Sequence, residues 1–310
     1  RQEGDGVVAA LREMLTVARA LETPVEISHL KAIGRRNWQS AVPEMLKLLR
    51  DARRDGVEVA CDVYPYPAGS TQLLHVLPPE VQSGGTAALT RALRDPNQRR
   101  LMRRRMETGR DFENITALVG FENIRATGLH LPEHQAFEGA ALSDIAAVWG
   151  KDPYDALFDL LAAEDCAVTM IDFIAHEDDL TEILQTPFSG VISDATYPTD
   201  GLLHPRVYGT FSRLLETYVQ KRGVLTLPEA IRKITCQSAQ RYDLPHKGRI
   251  ALGADADLCL FDLAHIHENA TWQAPAQFST GMDYVFVSGV PAIAEGQFTA
   301  HFAGKLLTRR

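Results

Sequence analysis

No uninterrupted apolar run in the 310 residues approaches the ~18 that a helix needs to cross a bilayer, which argues against a helical membrane anchor. Cysteine is scarce: Cys61, Cys166, Cys236 and Cys259 are scattered, and three of the four lie in apolar runs of the kind that bury thiols. That usage fits a reduced cytoplasmic protein better than a disulfide-stapled secreted one. Excess positive charge is also missing, since 32 Lys and Arg against 40 Asp and Glu leave a net charge of -8. A surface built to hold nucleic acid is therefore not expected. No basic stretch leading into an apolar run opens the chain, so no secretory leader is read there, and no internal repeat is found. What remains is an ordinary soluble composition, 45% hydrophobic and 23% charged, with length enough for one large domain and a smaller one.

Helix and strand alternate along the first part. Residues 5–21 carry Val8, Leu11, Leu15 and Ala18 at helical spacing and lead into a short strand over 24–29. A second amphipathic helix, 41–55, is closed by Gly56 and followed by a strand over 57–63. Further helices are expected over 142–149 and 153–164, a strand over 167–173, a helix over 177–185 and a strand over 190–193. Single strands alternating with helices imply right-handed crossovers and a parallel sheet. Between the second and third units, 77–85 is rich in Pro and Gly, and 86–107 reads as one cationic helix holding seven arginines from Arg91 to Arg105. A solvated helical insertion, about 72–140, accounts for it. Helices follow over 208–221 and 227–243, and from Gly248 short strands mark a small β domain over 246–310.

Three apolar strands end in side chains that catalysis uses: His29 with Lys31, Asp62 with Tyr64 and Tyr66, and Asp194. Taken singly, each has a structural reading, a packed histidine, a loop lysine, a turn-starting aspartate. In a (β/α) barrel, however, the C-terminal strand ends converge on one mouth, so residues distant in sequence meet there. Imidazole suits zinc, and a carboxylate beside a metal-bound water can take its proton. Among other histidines, His130 and His134 flank Pro132 and read as surface loop. His75 and His176 read as loop or helix-start residues, and His265, His267 and His301 as solvent-exposed. His204 and Arg206 lie in the loop after Asp194, where contact with substrate competes with a role in fixing that loop.

Five ordered segments, 25–31, 61–71, Ser193-Asp194, 204–211 and 253–257, resemble the landmarks of the N-acyl-D-amino-acid deacylases (D-aminoacylases) of the amidohydrolase superfamily, and the likeness continues through Gly281 to Gly289. The resemblance implies an α/β fold, the C-terminal part of a (β/α)8 TIM barrel over 1–245, plus a small β-sandwich, with zinc at the barrel mouth. It also implies His29 and Asp194 at the metal, Asp194 as general base, and Lys31 with Tyr64 holding the substrate carboxylate; Arg206 is the next candidate for that carboxylate. The family's His-x-His pair, its cysteine ligand and a further histidine have no counterpart in these residues. Cys61 lies on a later strand and is not cast as that cysteine. The chain is thus expected to be the C-terminal portion of a longer enzyme, presenting one histidine ligand of its own. The expected reaction is zinc-dependent hydrolysis of N-acyl-D-amino acids. A cyclic-amide or imide hydrolase and a non-catalytic barrel fragment are the alternatives, and self-association into a homo-oligomer stays open.

Overall fold

A computed structural model describes residues 2–196 and 201–307. The first helix, α1 (Val7–Leu21), buries Val7, Leu11, Leu15 and Ala18, a stripe along one face. It delivers β1 (Val25–Ile27). The second helix, α2 (Ala41–Arg54), buries Val42, Met45, Leu46, Leu49 and Ala52. It stops at Gly56, whose φ of 88° is the left-handed turn that glycine takes most cheaply. The chain then runs into β2 (Val59–Val63), parallel to β1 with Val25 opposite Val59 and Ile27 opposite Cys61.

The insertion that follows holds β3 (Ala68–Gln72), the short helices α3 (Pro79–Gln82) and α4 (Thr86–Arg94), α5 (Pro96–Thr108), α6 (Ile115–Val119), β4 (Ile124–Thr127), α7 (Leu142–Trp149), α8 (Pro153–Ala163) and β5 (Thr169–Phe173). The expected single cationic helix is broken at Asp95-Pro96. Asp95 accepts hydrogen bonds from the backbone N–H groups of Asn97 and Gln98, and Pro96 takes the first helical position. Three of its seven arginines are matched by acids: Arg99 pairs with Asp159, Arg103 with Glu107 and Asp152, Arg105 with Glu80 and Asp111. The largest correction concerns β5, expected as a strand of the parallel sheet. It pairs antiparallel with both β3 and β4 in a separate three-stranded sheet.

After β5 come α9 (Glu177–Gln185), whose N-cap is His176 as its place at a helix start suggested, and β6 (Ser189–Val191), parallel to β2. The parallel sheet is therefore β1-β2-β6, three strands among the described residues, and no closed barrel is formed by them. Helix α10 (Arg206–Arg213) continues as a wider π-type turn over 214–221, and the expected helix over 227–243 divides at Thr235 into α11 (Leu227–Ile234) and α12 (Cys236–Arg241). Buried Lys233 of α11 donates to the carbonyls of Thr186 and Ser189, tying that helix to the start of β6. The tail forms one antiparallel sheet of β7 (Leu258–Phe261), β8 (Met282–Val287), β9 (Val290–Ala294) and β10 (Gln297–Phe298). A sandwich needs two packed sheets, and among the described residues there is one, with Leu258, Leu260 and Phe298 exposed on it. No helix among the described residues is long and apolar enough to cross a membrane.

Candidate active site

The C-terminal ends of the three parallel strands deliver side chains to one cavity of about 690 Å³, lined by His29, Lys31, Tyr64, Asp194 and Arg206 together with Glu3 and Asp172. The five residues singled out in the sequence are thus brought together, as strand-end convergence requires. Two of them sit in the left-handed region, His29 at φ 40° and Asp194 at φ 49°. Side chains other than glycine occupy that region at some cost, which the surroundings must offset. For His29 the offset is visible: the Asp62 carboxylate accepts its backbone N–H at 2.5 Å and the Ser28 hydroxyl at 3.3 Å. Asp62, recognised in the sequence only as a polar strand end, is the brace of the His29 turn.

On one wall, Glu3 accepts from the Lys31 ammonium at 2.7 Å and lies 2.8 Å from His29 Nδ1. Burial disfavours the Glu3 carboxylate, but the His29 hydrogen bond and the Lys31 charge outweigh it and draw its pKa down to about 2. The same hydrogen bond raises the pKa of His29 against the effect of burial. Lys31 is 7% exposed, and its ammonium also contacts His29 Nδ1 at 3.0 Å and the His29 carbonyl at 3.1 Å. Opposite, buried Arg206 pairs with Asp194 at 2.8 Å and lies 4.6 Å from the centre of the Tyr64 ring. Its backbone N–H donates to His204 Nδ1, and His204 Nε2 reaches the Ala68 carbonyl at 2.9 Å. His204 is 3% exposed and packs edge-on against Tyr66 and Trp272. Burial and the Arg206 charge push its pKa down to about 3, so it is neutral and ties the loop to β3.

Asp172 was missed. It stands in the apolar run Thr169–Phe173, where a carboxylate has no packing reason to be, and that was the available signal. It is 3% exposed, and burial pushes its pKa up to about 6 while Lys31 draws it partway back. Two other readings change. His134 is not a surface residue but is buried, 2.6 Å from Glu164 and packed on Trp149. Of the cysteines, Cys61 and Cys166 are buried, whereas Cys236 is half-buried and Cys259 exposed. Burial pushes the Cys61 thiol up to about 12, as befits an inert core residue.

For a metal ion the donors are of the right kind but too few. With His29 Nδ1 held by Glu3, Nε2 is the nitrogen left for a metal, and a carboxylate on the far nitrogen is how metal-bound histidines are oriented. Asp194 is near enough for its charge to act on His29. A zinc site takes at least three protein ligands, and no cluster of three or more His, Cys, Asp or Glu suited to a metal occurs among the described residues.

Residues 192–293 match the Amidohydrolase family. Over 309 residues, 100% of its length, the chain is 31% identical to the N-acyl-D-glutamate deacylase of Alcaligenes xylosoxydans xylosoxydans and covers 53% of that protein. It is 32% identical to the D-aminoacylase of the same organism and covers 54% of it. Among solved structures, the N-acyl-D-glutamate deacylase from Bordetella bronchiseptica, complexed with zinc and a phosphonate mimic of the tetrahedral intermediate, gives a TM-score of 0.72 at 30% identity, covering 95% of this chain and 53% of that one. A D-aminoacylase structure gives 0.75 at 30% identity, covering 99% and 54%. The chain spans about half the length of the relatives it matches. In sequence from end to end, and in fold, the chain is similar to about half the length of the N-acyl-D-amino-acid deacylases, and its residues 192–293 carry the match to the amidohydrolase family.

Proposed function

We propose that the complete protein is a zinc-dependent hydrolase that cleaves N-acyl-D-amino acids to a carboxylate and a free D-amino acid. The observation that carries this reading is the meeting of His29, Asp194, Lys31, Tyr64 and Arg206 in one cavity at the ends of parallel strands. In this reading His29 and Asp194 are two of the zinc ligands, and the others come from the rest of the protein. Bound zinc would polarise the amide carbonyl and acidify a water molecule. Asp194 takes the proton of the attacking water and returns it to the leaving amine. Arg206 holds Asp194 Oδ2 and so leaves Oδ1 for the proton. The substrate carboxylate is held by Arg206, Lys31 and the Tyr64 hydroxyl, which makes no hydrogen bond to any described residue. Among the described residues Arg206 Nε is buried without a partner, a donor of the kind that an incoming carboxylate satisfies. A cytoplasmic setting, with a small molecule rather than nucleic acid or membrane as partner, completes the reading.

The test is hydrolysis by the zinc-loaded complete protein of N-acetyl-D-methionine, N-acetyl-L-methionine, a hydantoin and a dihydropyrimidine. Cleavage of the D-amide alone is expected; turnover confined to the cyclic compounds overturns the reading. A further consequence concerns the brace under His29. Asp62→Ala frees the backbone N–H of His29 and loosens the turn, so zinc affinity is expected to fall about 10- to 100-fold, the range for lost outer-shell partners. Competition against a chromogenic chelator measures it, and unchanged affinity would show that the turn is held without Asp62.

A further inference from the structure

The cavity carries an excess of negative charge. Five carboxylates line it, Glu3, Asp111, Glu113, Asp172 and Asp194, against the two fixed cations Lys31 and Arg206. Four of the five are answered. Glu3 meets Lys31, Asp194 meets Arg206, Asp111 meets Arg105, and Glu113 accepts from the backbone N–H groups of Glu3 and Gly4. Asp172 is answered only in part: the Lys31 and Arg206 charges act on it, but its Oδ1 is one of two buried side-chain atoms among the described residues without a hydrogen-bond partner, Arg206 Nε being the other. A buried acceptor left unpaired costs stability, and such groups persist where a ligand completes them.

Its surroundings keep an approach open. Asp172 lies on β5, opposite Gly69 of β3. A Cβ at Gly69 would stand 3.0 Å from Asp172 Oδ1 and 3.5 Å from the Tyr64 hydroxyl, so glycine leaves free the space beside both polar groups. The two orphaned atoms are of opposite kind, an anionic acceptor and a cationic donor. One small molecule that answers both carries a carboxylate for Arg206 and a positive charge for Asp172.

We propose that Asp172 is a specificity-determining residue, selecting N-acyl-D-amino acids with a cationic side chain such as D-lysine or D-ornithine. The inference rests on the deacylase reading above and adds to it the class of side chain. An acidic side chain would meet a carboxylate there, and an apolar one would leave it unpaired.

The experiment compares kcat/KM of the zinc-loaded complete protein for N-acetyl-D-lysine, N-acetyl-D-norleucine, which has a similar chain without the ammonium, and N-acetyl-D-glutamate. The D-lysine derivative is expected to lead D-norleucine by about tenfold or more, with D-glutamate last. Asp172→Asn is expected to erase most of that lead, and Gly69→Ala, which crowds Oδ1 without touching its charge, to reduce it. Because the substitution removes an incompletely matched buried charge, Asp172→Asn is also expected to raise the Tm at pH 8. A wild-type enzyme that cleaves D-norleucine or D-glutamate derivatives as well as D-lysine overturns the inference alone. An Asp172→Asn variant that melts lower and loses all substrates equally makes Asp172 a structural residue. If no N-acyl-D-amino acid is cleaved, the deacylase reading fails and takes the inference with it.

Discussion

An Asp194→Asn form of the complete enzyme is expected to lose about 10²- to 10⁴-fold in kcat, the range for removing a positioned general base. The substitution is well suited to isolating that role. Asparagine keeps the side-chain shape and tolerates positive φ better than most residues, so the φ of 49° at this position adds little strain. Its amide oxygen can still accept from Arg206 Nη1, now 2.8 Å from Asp194 Oδ2. What is lost is the charge and the ability to take a proton. Thermal unfolding is the control: a Tm within a few degrees of wild type, with turnover collapsed, separates chemistry from folding. Near-normal turnover would make Asp194 a structural turn residue, held by its ion pair to Arg206.

Lys31→Met is expected to cost about 2–4 kcal/mol in kcat/KM, because a charge-assisted contact to the substrate carboxylate is lost in a mouth that is partly desolvated. The structure adds a condition. The Lys31 ammonium already meets Glu3, His29 Nδ1 and the His29 carbonyl, at 2.7, 3.0 and 3.1 Å. An incoming carboxylate must therefore share or displace Glu3. Glu3→Gln, which weakens that competitor, should lower KM for the free acid, in contrast to the loss in Lys31→Met. A substrate whose carboxylate is converted to an amide sharpens the comparison: the wild type should discriminate strongly against it and Lys31→Met, left with Arg206 and Tyr64, clearly less. Full preference for the free acid in Lys31→Met would show that Arg206 and Tyr64 hold the carboxylate without Lys31.

The same two regions mark how far local pattern reaches. The helices α1, α2, α7, α8 and α9 and the parallel strands β1, β2 and β6 were legible, because each buries a stripe or a run that its own residues announce. The sheet within the insertion was not. Strand β3 is Ala68-Gly69-Ser70-Thr71-Gln72, with no apolar run to signal it, and β4 carries Arg125 between Ile124 and Ala126. The apolar β5 was recognised as a strand and given the wrong neighbours, since hydrophobicity reports burial and is silent about which strand pairs alongside and in which direction. His134 shows the same gap at one residue. Its burial depends on Glu164, 30 positions away, which also accepts from the backbone of His130 and Leu131.

By itself, then, the sequence determined the alternation of helices and strands, the meeting of His29, Lys31, Tyr64, Asp194 and Arg206 at one strand-end mouth, and the likeness to the N-acyl-D-amino-acid deacylases. All of these rest on short segments whose periodicity or motif is complete within a few residues. Only the tertiary structure decided the antiparallel sheet built by β3, β4 and β5, the pairing of Lys31 with Glu3 and of Arg206 with Asp194, and the bracing of His29 by Asp62. It also decided that, among the described residues, Asp172 is the cavity carboxylate with a buried oxygen, Oδ1, left without a hydrogen-bond partner. Charge pairing and register are relations between residues far apart in the chain, and their energies appear only once burial has removed the water that would otherwise satisfy each group alone.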